Sequence, residues 1–260
     1  MRGGSGKMRL LLMGGIILFA VFKYFSQAEE NPYTGETQYI ALDPEEEIAL
    51  GLQSAPSMIE QHGGLHPDQQ LQDLVDYVGN KLVQNSHAKD TPYQFQFHLL
   101  ADDRSINAFA LPGGPCFITY ALMSKLSTED QLAGILGHEI GHVVARHSAA
   151  RVAKGDLTNG VLTGVMAGTG GGAEAGIAQM VLQTVNMKYG RDDELQSDDL
   201  GVLYMMQSGY DPEQLIDVMQ ILRDAAGPNR QPEFQSTHPD PANRIEQIQA
   251  SIEKYRAEGY

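Results

Sequence analysis

"LGHEIGHVVARH", Leu136 to His147, sets two histidines four residues apart with a glutamate directly after the first. On an α-helix, positions i and i+4 differ by about 400°, so His138 and His142 leave the same face one turn apart, within reach of one metal ion. Glu139, offset by about 100°, is carried off the ligand line to the side of the water that such a metal would activate, where a general base belongs. The plainer alternative is a buried helix carrying polar residues. Two histidines beside Leu132, Ile135 and Val143 would then need partners, and a metal supplies them.

A catalytic zinc takes a third protein ligand and leaves a fourth position open. A pattern with Gly at 145 and His at 148 would provide one on the same stretch, but the chain has Ala145 and Ser148 there. If the helix runs on to about Ala153, His147 lies about 140° around it from His142 and reads as a surface histidine. "ELQSDDLG", Glu194 to Gly201, offers a better source, because Glu194, Asp198 and Gly201 share one helix face at i, i+4 and i+7. Glu194 would ligate zinc, Asp198 would accept the ring N–H of His138, and Gly201 would let this helix approach closely. The acidity of "RDDELQSDD" is equally compatible with a solvated face.

Composition bounds the rest. The chain has 260 residues, 42% of them hydrophobic, enough for a folded core. Its net charge of -15 is unevenly spread. The first 28 residues hold four of the 18 bases (Arg2, Lys7, Arg9 and Lys23) and none of the 33 acids. The remainder is strongly acidic and would be repelled by phosphate backbones, so nucleic acid is not an expected partner. The basic head leads into the apolar run Leu10 to Phe22, which reaches spanning length if Met8 to Phe25 is recruited. The order basic, apolar, acidic predicts a cytoplasmic N-terminus and an exported domain. Residues 1–28 therefore read as a signal anchor, or as a signal peptide cleaved after the small-x-small triplet Ser26-Gln27-Ala28. Residues 29–260 read as one domain. Cys116 is the only cysteine, so no intramolecular disulfide is available, and its apolar neighbours make it a small buried hydrophobe.

From Asp43 onward the pattern is mostly helical. Asp43 and Pro44 open one helix, "DQQLQDLVDYVGNKLVQNS" gives a second, and Ser127 or Thr128 caps the helix that carries the histidines. Between them the period changes to two. "YQFQFHLL", "INAFAL" and "CFITYAL" predict a small sheet among the helices. Further helices are expected over about 189–207, 212–226 and 241–258. In "PGGPCFITY" the prolines suggest an edge strand that an extended substrate could pair with, which makes Asn107, Gly113, Gly114, Cys116 and Phe117 candidate substrate-binding residues. The stretch Asn159 to Met187, with Glu174 its only charge, reads as two small-residue helices packed on the domain.

Four motifs in order, "NAFALPGG" (107–114), "LGHEIGHVVARH" (136–147), "ELQSDDLG" (194–201) and "THPDPANRI" (237–245), resemble the HtpX-like and CAAX-prenyl-protease-like family of zinc metallopeptidases. The nearest likeness is to its periplasmic bacterial members of the BepA and LoiP kind. The resemblance implies an α+β fold: a mostly helical zincin-like core with a small β-sheet, here behind an N-terminal hydrophobic helix. It implies one zinc ion held by His138, His142 and Glu194, with Glu139 as base and Asp198 behind His138. It also gives His238 a catalytic place, as an oxyanion donor or as a fourth ligand that keeps the enzyme latent. The family usually has Glu-Ala where this chain has Gln196-Ser197. The implied activity is endopeptidase cleavage of unfolded or misassembled cell-envelope polypeptides, in a protein anchored at the inner membrane with its catalytic domain in the periplasm. A zinc-containing chaperone for extended chains is the alternative.

Overall fold

The computed structural model describes residues 4–169, 189–225, 233–239 and 242–260. The expected cap at Asp240-Pro241, and the part of the Asn159–Met187 stretch beyond residue 169, lie outside the described residues. In chain order the elements are α1 (Gly4–Ser26), β1 (Ala28–Glu30), β2 (Thr37–Tyr39), α2 (Pro44–Gln61), α3 (Gln69–Asn85), β3 (Gln96–Leu100), β4 (Ala108–Ala110), β5 (Pro115–Thr119) and α4 (Tyr120–Met123). There follow α5 (Glu129–Val144), α6 (His147–Thr169), α7 (Arg191–Gln207), α8 (Gln214–Asp224), α9 (Glu233–Thr237) and α10 (Arg244–Glu258). This is the expected α+β architecture. The chain divides into two compact units, Met1–Asp43 with Ser148–Met187, and Pro44–His147 with Lys188–Tyr260.

In the first unit, 21 residues of α1, Gly6–Ser26, are long and apolar enough to cross a membrane. Leu11, Leu18, Phe19 and Phe22 are all exposed on it, so its apolar surface is not that of a helix buried in a core. Beyond it β1 and β2 form an antiparallel ribbon, and Tyr39 stacks on Tyr24 with ring centroids 4.6 Å apart. Helix α6 lies against α1 through Gly160, where an added Cβ would come within 2.6 Å of the Ala20 Cβ. Lys23 Nζ meets Asp156 Oδ2 at 3.1 Å.

The second unit is built around α5, which is buried from Gln131 to Val144. The Thr128 side chain accepts from Gln131 N, as the capping pattern predicts. Helix α3 starts under its own cap, Asp68. The sheet order is β3-β5-β4, with β3 and β5 parallel and β4 and β5 antiparallel. The strand at Cys116 is therefore central, not an edge. Its register is Phe97↔Cys116 on one side and Ala110↔Cys116 on the other, so an added peptide has no free backbone to pair with there. The prolines misled because Pro115 stands at the first residue of the strand, where a missing N–H costs least. The edges are β3, whose Phe97 O and Leu99 N are engaged by the Gln72 side chain, and β4, whose three residues are buried. After Thr119 the chain leaves the sheet at once, since the Thr119 side chain caps α4 by accepting from Leu122 N.

Helix α5 also ends earlier than its pattern suggests. Ala145 is its C-cap, Arg146 turns into the left-handed region at φ 57°, and α6 starts at His147. The break carries neither glycine nor proline. It is held by a buried ion pair in which Arg146 Nε donates to Glu47 Oε1 at 2.7 Å.

Candidate metal centre

Helix α7 crosses α5 at close range because glycines face backbone on both sides. A Cβ on Gly201 would come within 3.1 Å of His138 N, and one on Gly141 within 2.9 Å of Ser197 O. That contact sets Glu194, in the first turn of α7, opposite His138 and His142. His138 Nε2 and His142 Nε2 approach to 3.0 Å, and each lies 3.6 Å from a Glu194 oxygen. His238 joins them from the loop after α9. Its Nδ1 is 3.1 Å from Glu194 Oε1 and 3.3 Å from His138 Nε2. Ligand atoms of His138, His142, Glu194 and His238 all fall within 4.8 Å of one another, and all four residues are buried.

The proton arrangement makes this cluster fit a cation. His138 Nδ1 lies 2.8 Å from Asp198 Oδ1. Burial alone would raise the Asp198 carboxyl, but the Arg244 charge and His138 outweigh it and hold it at about 2, so Asp198 is an ionised acceptor. His138 then carries its proton on Nδ1 and turns a bare Nε2 toward His142 and Glu194. Glu194 Oε2 receives no hydrogen bond among the described residues. Electron-rich atoms facing one another in a dry pocket are unfavourable until a cation sits among them. Imidazole nitrogens with a carboxylate are the donors that zinc prefers. Without one, burial pushes Glu194 up to about 7 despite the opposing charges of His138 and Arg244.

Glu139 is fully buried beside the cluster, with Oε1 3.7 Å from His238 Nε2. Arg244, the first residue of α10, closes the acidic side: Nε and Nη2 donate to the two oxygens of Asp198, and Nη1 lies 3.3 Å from Glu194 Oε2. The signal for Arg244 in the sequence is its place three residues beyond Pro241 in the fourth motif.

His147 is not on the surface. The break at Arg146 turns it inward, leaves it 2% exposed, and sets its Nδ1 2.9 Å from His142 Nδ1. The proposed substrate residues fare differently. Cys116 and Phe117 are fully buried in the central strand, and burial pushes the Cys116 thiol well up, with the nearby Glu139 charge adding to it, so it stays protonated. Gly113 and Gly114 form the β4–β5 turn at φ 76° and 130°, packed on Ile48 and Gln94. Asn107 enters β4, its carbonyl paired with Thr119 N. None of the five is a residue of an edge strand.

The profile of Peptidase family M48 matches residues 69–252, which include every residue of the cluster. The chain belongs to this family. Its relatives include the beta-barrel assembly-enhancing protease of Yersinia pestis, 31% identical over 248 residues that cover 91% of this chain and 50% of the relative. The mitochondrial metalloendopeptidase OMA1 of Saccharomyces cerevisiae is 27% identical over 267 residues, 96% of this chain and 75% of the relative. The human mitochondrial metalloendopeptidase OMA1 is 28% identical over 268 residues, 96% and 51%. This chain thus spans about half the length of the Yersinia protein. M48 metallopeptidases use zinc, and the four-residue cluster is where this chain can bind it.

Proposed function

We propose that this chain is a zinc-dependent endopeptidase acting on unfolded or misassembled polypeptides of the cell envelope. The observation that carries the reading is the fully buried Glu139 carboxylate next to a converging His138, His142 and Glu194. These three residues would hold the metal. When bound, zinc supplies Lewis acidity, acidifying a water and polarising the scissile carbonyl. Glu139 takes a proton from the attacking water and hands it to the leaving amine. Asp198 keeps the His138 proton on Nδ1, and Arg244 keeps Asp198 ionised.

An extended substrate would lie along β4. In the antiparallel β4–β5 pair, Asn107 and Leu111 bond to β5, so alternation turns the N–H and C=O groups of Ala108 and Ala110 to the other side. Pairing of that kind suits a strand and not a helix, which selects loops and unfolded chains, and because Ala108 and Ala110 are 0% and 4% exposed it requires what covers β4 to move aside. Helix α1 supports a membrane anchor, and the basic residues before its apolar run with acidic ones after it favour an inner-membrane anchor with the catalytic unit in the periplasm, or release into it if residues 1–28 are removed.

The test is zinc content together with casein cleavage by the wild type and by Glu139→Gln. Glu139→Gln should hold about one zinc and lose at least roughly a hundredfold in rate. Equal cleavage by both proteins would remove the mechanism. Absence of cleavage in both, with suppression of aggregation, would make the chain a chaperone for extended polypeptides.

A further inference from the structure

The metal-facing nitrogen of His142 is only half of that ring. Its other nitrogen, Nδ1, meets His147 Nδ1 at 2.9 Å, and two nitrogens at that distance share one proton. Two arrangements are open. In the first, His142 Nδ1 donates to a bare His147 Nδ1, which leaves His142 Nε2 free to ligate. In the second, His147 donates, the His142 proton moves to Nε2, and the ring cannot bind a metal.

Neighbours of His147 on α7 favour the first. His147 Nε2 lies 2.8 Å from Gln196 Oε1, a carbonyl that can only accept, so Nε2 carries the His147 proton and Nδ1 is bare. Ser197 Oγ lies 3.3 Å from the same Nδ1 and can donate to it. The Tyr189 ring stacks on His142 at 3.8 Å and fixes the plane in which its proton points. The whole arrangement depends on the turn at Arg146, which brings His147 back toward α5, and that turn is pinned by Glu47.

From this geometry we infer that His147, oriented by Gln196 and Ser197, is a positioning residue that holds His142 in the tautomer whose Nε2 faces the metal. This rests on the reading of His142 as a zinc ligand and adds the chain of hydrogen bonds that makes it one. Backing of this kind behind a metal-binding histidine is typically worth 10- to 100-fold in affinity.

The experiment measures zinc affinity of the full-length protein by chelator competition, alongside thermal midpoints of the metal-free forms. His147→Leu removes the acceptor and should weaken zinc about 10- to 100-fold, with the metal-free midpoint read alongside to separate this from the stability lost when His142, Gln196 and Ser197 lose their partner. His147→Asn, whose side-chain oxygen can stand near the lost Nδ1, should restore most of the affinity. If His147→Leu fails to fold, Gln196→Leu takes its place and should weaken zinc several-fold. Zinc affinity within twofold of wild type in the Leu variant tested, or no rescue by Asn, overturns the inference. His142→Ala is the control for the underlying reading: undiminished zinc binding there would show that His142 is not a ligand, and both readings would fall together.

Discussion

Arg244 and Asp198 form a two-pronged pair at the back of the metal cluster, Nε to Oδ2 at 2.7 Å and Nη2 to Oδ1 at 2.9 Å, with both side chains about 1% exposed. Losing one partner of a buried pair strands the other without water. Arg244→Leu is therefore expected to lower unfolding free energy by about 3–5 kcal/mol in chemical denaturation. Replacing both residues with leucine should recover part of that stability, because the Asp198 charge is no longer stranded even though Glu194 loses Arg244 and the His138 N–H loses its acceptor, while zinc affinity stays low for want of the His138 anchor. A double variant as unstable as the single one would show that the pair is not the origin of the loss.

A second expectation concerns pH. With its folded pKa raised to about 7, against 4.5 for an ordinary glutamate, Glu194 favours the metal-free fold when protonated. Its contribution is full below about 4.5 and is lost as pH rises through 7. Zinc reverses the sign, since ligation needs the carboxylate. Below 7, apparent zinc affinity should fall by about tenfold per pH unit for this one displaced proton. Stabilisation by zinc should therefore be larger at pH 8 than at pH 6. Thermal melts with and without chelator across that range measure it. Glu194→Gln should flatten the metal-free slope and abolish zinc binding; an unchanged slope would count against Glu194 as the titrating group.

The crossing of α5 and α7 gives a third. A Cβ at Gly201 would press on His138 N at 3.1 Å and on the Gly137 carbonyl carbon at 3.3 Å, so the two helices must part by a few tenths of an ångström. Gly201→Ala should cost about 1–3 kcal/mol as an overpacked contact. It should also weaken zinc, because the ligands sit on both sides of that crossing. Destabilisation with unchanged zinc affinity would mean that the ligands reposition freely.

What the sequence disclosed here follows from range. His138 with His142, and Glu194 with Asp198 and Gly201, are spaced within single helices, where a 3.6-residue period assigns faces whatever the rest of the chain does. Two features were hidden because distant residues decide them. The central position of β5 depends on its parallel pairing with β3, about twenty residues away, and nothing local marks it. The end of α5 depends on Glu47 holding Arg146 in a left-handed turn that contains no glycine. A histidine that periodicity assigns to the surface is thereby turned into the site.

His238 gives the last prediction. Two roles fit its motif, oxyanion donor or latency ligand, and they predict opposite effects of removing the ring. Nδ1 stands among the other ligand atoms, 3.1 Å from Glu194 Oε1 and 3.3 Å from His138 Nε2, while Nε2 is turned to Glu139 at 3.7 Å. With a metal held by His138, His142 and Glu194, a side chain so placed would take the position that an attacking water needs and would stand between that water and Glu139. The ring is held by Phe234, stacked on it at 4.3 Å, and by its own backbone N–H, which donates to Phe234 O at 2.7 Å. The expected result is that His238→Ala raises basal casein cleavage and weakens zinc modestly, because a ligand is lost as the water's place opens. Phe234→Ala, which loosens the support without touching the cluster's donors, should raise cleavage in the same direction and to a smaller extent. A fall in turnover of roughly a hundredfold in His238→Ala with zinc retained would instead assign the ring to the oxyanion.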